Sequence, residues 1–110
     1  LYLVGGKLSV SARRGKVLFA QARCASCHKG QYLTDMKKYD LGTGKRIDGN
    51  VKFDTPTLRE AWRTSPYLHH GRAVSIMDVL TKFNPDDKHG VTSKLTKKQL
   101  ADLAAYVLSL

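Results

Sequence analysis

No run of apolar residues in this 110-residue sequence approaches the ~20 needed to cross a bilayer, and no charged start followed by an apolar middle marks a signal peptide. The expectation is a soluble chain from which any export signal has been removed. Acidic residues are scarce, nine against 19 lysines and arginines, and the formal charge is +10. The basic excess is dispersed over Arg13, Arg14, Lys16, Arg23, Lys37, Lys38, Lys45, Arg46, Lys97 and Lys98. It reads first as a solvated surface and second as long-range attraction to an acidic partner or a membrane surface. Nucleic acid is a weaker option, because no helix-turn-helix, RNP-type or zinc-finger pattern accompanies the charge. Internal repeats, low-complexity segments and the rhythm of parallel strands are also missing. What remains is one small domain, able to bury a single core but near the size at which an extra staple helps.

The apolar pattern is helical at both ends. Ser11 can cap a helix over 12–23, where Gly15, Leu18, Phe19 and Ala22 make one face. Thr96 and Gln99 form a capping box for a final helix with Leu100, Leu103, Ala104, Val107 and Leu108 on one stripe and Tyr106 beside it. Between them, "PTLREAWRT" after Thr55 predicts a helix of about two turns, and Ser75 with Asp78 predicts another over 76–83, stopped by Asn84-Pro85. Residues 29–54, with the turn-rich "DLGTGKRIDGN", read as one long loop, and loops of that length usually serve a function or wrap around something. Residues 1–10, "LYLVGGKLSV", are strand-like and read as an N-terminal arm or the tail of a preceding domain, with the main domain spanning 11–110. The fold class is all-α.

The only two cysteines stand in "CASCH", two residues apart, with a histidine behind the second. A redox dithiol would need a βαβ context that is missing. A structural zinc site would need about four ligands, so Cys24, Cys27 and His28 would have to recruit His69, His70 or His89 from another element. Cys-x-x-Cys-His is also the attachment signature of c-type haem, and this reading uses all three residues. Cys24 and Cys27 each add to a vinyl group of one porphyrin and His28 sits beneath the iron. Covalent attachment would supply the staple as well.

"RGKVLFAQARCASCH" with the terminal "LTKKQLADLAAYVLSL" resembles the class I cytochrome c fold. That resemblance implies that the first and last helices cross, with Gly15, Phe19 and Tyr106 at the crossing. The stretch "FDTPTLREAWRTSPYLHHGRAVSIMDVLTKFN" is similar to the "PTLRN...TAPYFHDG...TLEEVV" segment of the C-terminal haem domain of dihaem cytochrome c peroxidases and MauG-type proteins. Together the similarities cover residues 13–110. In that family one haem reduces peroxide and the C-terminal haem relays electrons. A single CxxCH implies one haem c here, so single-electron transfer between redox partners is what carries over. The alternative is a haem peroxidase, or the electron-transfer domain of a larger dihaem peroxidase-like enzyme. No glutamate acid/base stands in a matching position, since Glu60 is the sole glutamate. The chain thus reads as a carrier more than an enzyme, extracytoplasmic and in bacteria periplasmic, with a redox partner of acidic surface.

The iron's second face has several candidates. The class I resemblance places the distal ligand in the loop before the last helix, where His89 is the only strong donor. Alternatives are Met77, His70 and His69, with Met36 more remote. His69 matches the histidine before the family's "DG", and His70 replaces its acidic residue. Phe53, Leu58, Trp62, Pro66, Tyr67 and Leu68 are expected to line the pocket, and Arg59 and Arg72 to meet the propionates.

Overall fold

The computed structural model describes residues 3–44 and 51–110. Lys45, Arg46 and most of the "DLGTGKRIDGN" turns lie outside the described residues. The chain enters through a hairpin, β1 (Leu3–Val4) paired antiparallel with β2 (Lys7–Leu8). Its tip, Gly5-Gly6, has φ of +56° and +76°, the left-handed pair that a two-residue hairpin turn of this kind requires. The strand-like start therefore leads straight into helix α1 (Val10–Gln21).

Helix α1 begins earlier than the expected residue 12, and its cap is Ser9, not Ser11. β2 ends at Leu8 and leaves Ser9 extended, so the Ser9 hydroxyl is the first able to accept from the Ala12 N–H, at 3.1 Å. Ser11 falls inside the first turn, and its hydroxyl donates to Asp102 at 2.5 Å.

Helix α3 (Lys97–Leu108) starts at Thr96 with both halves of the capping box formed. α1 and α3 cross at Gly15, where a β-carbon would lie 1.9 Å from the Asp102 carbonyl oxygen and 2.8 Å from Tyr106 Cβ. Only glycine fits that contact. Next to it, Phe19 and Tyr106 meet edge to face with centroids 5.2 Å apart. The core grows from this crossing: Leu18, Phe19 and Ala22 of the first helical segment meet Leu100, Leu103, Ala104 and Val107 of α3, with Ala61, Ile76 and Leu80 closing the side.

Helix α2 (Ile76–Leu80) has the expected Ser75 cap, whose hydroxyl accepts from the Asp78 N–H. It stops at Leu80 instead of 83. The Thr81 hydroxyl bonds back to the Met77 carbonyl at 2.7 Å, and the Phe83 N–H reaches the Asp78 carbonyl, a wider turn that unwinds the helix and carries Asn84 inward.

Two expectations fail in the middle. The long loop contains a strand pair, β3 (Lys38–Asp40) with β4 (Lys52–Asp54), Tyr39 opposite Phe53. Strands of three residues are too short to show alternation in the sequence. The helix expected over "PTLREAWRT" is only a 3₁₀ turn, Ala61–Arg63, behind Glu60 at φ +59°. Tertiary bonds hold the preceding segment extended: Thr55 N–H to the Lys37 carbonyl, the Thr57 hydroxyl to the Tyr32 carbonyl, and Arg59 Nε and Nη2 to the Gln31 carbonyl. The architecture stays mainly helix and loop, and no helix among the described residues is long and apolar enough to cross a membrane.

Candidate haem site

The attachment motif hangs from the end of α1. Arg23, at φ +67°, breaks the helix, and a 3₁₀ turn, Cys24–Ser26, follows. The N–H groups of Cys27 and His28 both donate to the Cys24 carbonyl, at 3.3 and 2.9 Å, which folds the five residues into one tight loop. Both cysteines are half-buried. Burial pushes the Cys24 thiol up to about 11. Beside Cys27 stands Tyr39, whose hydroxyl donates to Asp35. That bond is the main reason the Asp35 carboxyl sits at about 2.

His28 is buried, and its Nδ1 lies 3.1 Å from the Leu33 carbonyl. An Nδ1–H donating there leaves the lone pair on Nε2, the second-sphere arrangement that orients a ligating imidazole. Facing it is His89, with ring centroids 6.3 Å apart and planes tilted by 40°. The Nδ1 of His89 is buried without a hydrogen-bond partner. Burial lowers the pKa of both rings; for His89, to which the nearby His28 adds, it falls to about 4. Both are thus neutral at ordinary pH, the form in which imidazole binds a metal.

The loop carrying His89 closes on the motif itself. The Val91 N–H donates to the Ala22 carbonyl at 2.8 Å, and a β-carbon on Gly90 would lie 3.7 Å from Cys24 Sγ. Gly90 has φ +80° and the Ala22 carbonyl 3.1 Å from that same position, so the close approach also relies on glycine. The other candidates for the second face make different contacts. His69 stacks on Phe53 at 3.8 Å and His70 lies 5.2 Å from Phe83, with its Nδ1 accepting from the Arg72 N–H. Met77 packs against the core, and Met36 is 85% exposed. Of the expected lining residues, Phe53, Leu58, Tyr67 and Leu68 are half-buried, whereas Trp62 is 53% exposed and Pro66 is exposed. Arg59 spends its guanidinium on the Gln31 carbonyl. Among the described residues no three His, Cys, Asp or Glu side chains gather as a metal cluster.

The family model for cytochrome c matches residues 12–110. The chain belongs to the cytochrome c family. Among its relatives, the gamma subunit of hydrazine synthase from Kuenenia stuttgartiensis is 42% identical over 65 residues, covering 58% of this chain and 18% of that one. The cytochrome-c peroxidase IdrP1 of Pseudomonas sp. (strain SCT) is 26% identical across 94% of this chain and 40% of its own length. The methylamine utilization protein MauG of Methylophilus methylotrophus is 27% identical across 94% and 37%. Among solved structures, Kuenenia stuttgartiensis hydrazine synthase superposes with a TM-score of 0.87 at 26% identity over 98% of this chain. A MauG-like protein associated with microbial copper homeostasis shares the fold, with a TM-score of 0.74 at 21% identity. This cytochrome c domain spans less than half the length of each of these proteins.

The family implies covalently bound haem c, and the residues of this cytochrome c domain fit it. Two imidazoles on opposite faces of one metal, at about 2 Å per metal–nitrogen bond and with each ring centre about 1 Å behind its nitrogen, have centroids roughly 6 Å apart. The observed 6.3 Å matches that separation, and the orphaned nitrogen of His89 is the kind of buried polar atom a ligand would satisfy.

Sequence reasoning missed the residues that arrange this cytochrome c site. Asn84 reads as a helix stop, yet it is 4% exposed and its side chain bonds the backbone of His89 and Gly90. Asp35 and Tyr39 read as loop residues. Their pairing depends on β3, which no local pattern announces.

Proposed function

We propose that this domain carries one haem c, held by thioethers from Cys24 and Cys27 and ligated by His28 and His89, and that it relays single electrons between redox partners. The observation that carries this reading is the pair of imidazoles, His28 and His89, with ring centroids 6.3 Å apart. The haem supplies a one-electron couple, and paired histidines favour a lower potential than a histidine–methionine pair. The chain's part is to fix both ligands: the Leu33 carbonyl orients His28, and Asn84 with Thr92 holds the stretch that carries His89. Phe53, Leu58, Tyr67 and Leu68 keep water from the pocket. Neither Met77, His70 nor His69 enters the ligand set.

Residues 11–110 form the haem domain, and residues 1–10 an arm in front of it. That the chain spans less than half of each relative supports a second statement, that it works as the electron-transfer part of a longer, peroxidase-like haem protein, periplasmic in bacteria and facing an acidic partner. Mass spectrometry and optical spectroscopy of the holoprotein test the reading. The expected result is one covalent haem per chain, lost in Cys24→Ser/Cys27→Ser, and a six-coordinate low-spin ferric spectrum inert to peroxide. A high-spin ferric spectrum with rapid reaction with peroxide would favour the peroxidase reading instead.

A further inference from the structure

Asn84 is the most heavily used buried polar side chain near the site. Its Oδ1 accepts from the His89 N–H at 2.8 Å. Its Nδ2 lies 3.1 Å from the His89 carbonyl, 3.0 Å from the Gly90 carbonyl and 2.9 Å from Thr92 Oγ1. One amide thus holds both backbone groups of the residue whose ring faces His28. The clamp is anchored from behind, since the Thr92 hydroxyl donates to the Leu80 carbonyl at the end of α2, and from the front by Val91 on Ala22. The point from which the His89 ring leaves the loop toward His28 is thus fixed through its backbone.

We infer that Asn84 is a positioning residue that keeps His89 on the iron and excludes outside ligands from that face; this rests on the assignment of His89 made above. Without the Asn84 amide, the His89 N–H loses its acceptor, and the His89 carbonyl, the Gly90 carbonyl and Thr92 Oγ1 lose the two Nδ2 hydrogens they share; these groups regain hydrogen bonds only by opening the loop to water. Opening withdraws His89. Leaving such groups unsatisfied shifts an equilibrium on the order of tenfold or more.

The test compares ferrous holoprotein binding carbon monoxide in wild type, Asn84→Ala, His89→Ala and Asp87→Ala. Asp87 pins the same loop through Thr92 N–H, Ser93 N–H and Ser93 Oγ but does not touch residue 89, so it reports on general loosening. Asn84→Ala is expected to bind carbon monoxide at least about tenfold faster than wild type, towards the behaviour of His89→Ala, while Asp87→Ala stays near wild type. Asn84→Asp, which keeps the acceptor for His89 N–H and loses the donor shared by the two carbonyls and Thr92 Oγ1, is expected to fall between. It also supplies the measurement if Asn84→Ala yields no holoprotein. Wild-type-like rates in Asn84→Ala or, in its stead, Asn84→Asp, or equal acceleration in Asp87→Ala, would overturn the inference while leaving His89 as ligand. An unchanged rate in His89→Ala would instead remove the ligand assignment on which it rests.

Discussion

Asp102 illustrates what single residues contribute beyond the haem. Its carboxylate is buried at the helix crossing and accepts from Arg14 Nε at 2.7 Å, Arg14 Nη2 at 3.0 Å and Ser11 Oγ at 2.5 Å. The Arg14 bond holds its pKa below the usual carboxylate range. A depressed carboxylate adds stability that is fully present above the unfolded-chain value, about 3.9, and is lost as pH falls through the lower folded value. Thermal melts of wild type and Asp102→Asn should therefore differ most above pH 5 and converge as acidification proceeds below about pH 4. A constant gap across that window would contradict the ion pair's role. In the sequence, Asp102 is an acidic residue inside an apolar stripe, and nothing local distinguishes it from a solvent-facing one. The same holds for Asn84. CASCH, by contrast, is legible because its chemistry is local: three side chains at fixed spacing define one cofactor.

The elements divide along the same line. The start of α3 was readable because its capping box, Thr96 with Gln99, and its apolar stripe are local. α1 shifted by two residues at its start because a hairpin, formed by pairing, decides which serine is first. The helix expected over "PTLREAWRT" is missing because bonds to Gln31, Tyr32 and Lys37, more than 15 positions away, outweigh its local propensity. The crossing of α1 and α3 gives the sharpest element-scale prediction. Gly15→Ala places a methyl 1.9 Å from the Asp102 carbonyl oxygen, so the helices must move apart. The expected cost is about 3 kcal/mol, at the upper end of overpacking effects, read as a melting temperature lower by more than 10 °C. Leu103→Ala, at a fully buried position, should cost ~2–5 kcal/mol by leaving a cavity. A variant melting like wild type in either case would mean the crossing is not where the core is built.

At the scale of the molecule, a net charge of +10 accompanies one pair of imidazoles, His28 buried and His89 half-buried, so steering and chemistry are separate properties. Electron-transfer rates with an acidic redox partner should fall as ionic strength rises, since the Debye length shrinks to about 10 Å at 0.1 M salt. A rate independent of salt would remove the acidic partner and leave the haem assignment intact. Class and cofactor could be taken from the sequence. The sixth ligand is not legible there: His69, His70, Met77 and His89 are all donors in the sequence, and the proposal of His89 rests on the loop after α2, which closes on Ala22 and Cys24. Low-temperature EPR of the ferric holoprotein bears on that point most directly. A low-spin signal in wild type and Met77→Ala that gives way to a high-spin signal in His89→Ala is the predicted result. A His89→Ala spectrum indistinguishable from wild type would contradict it.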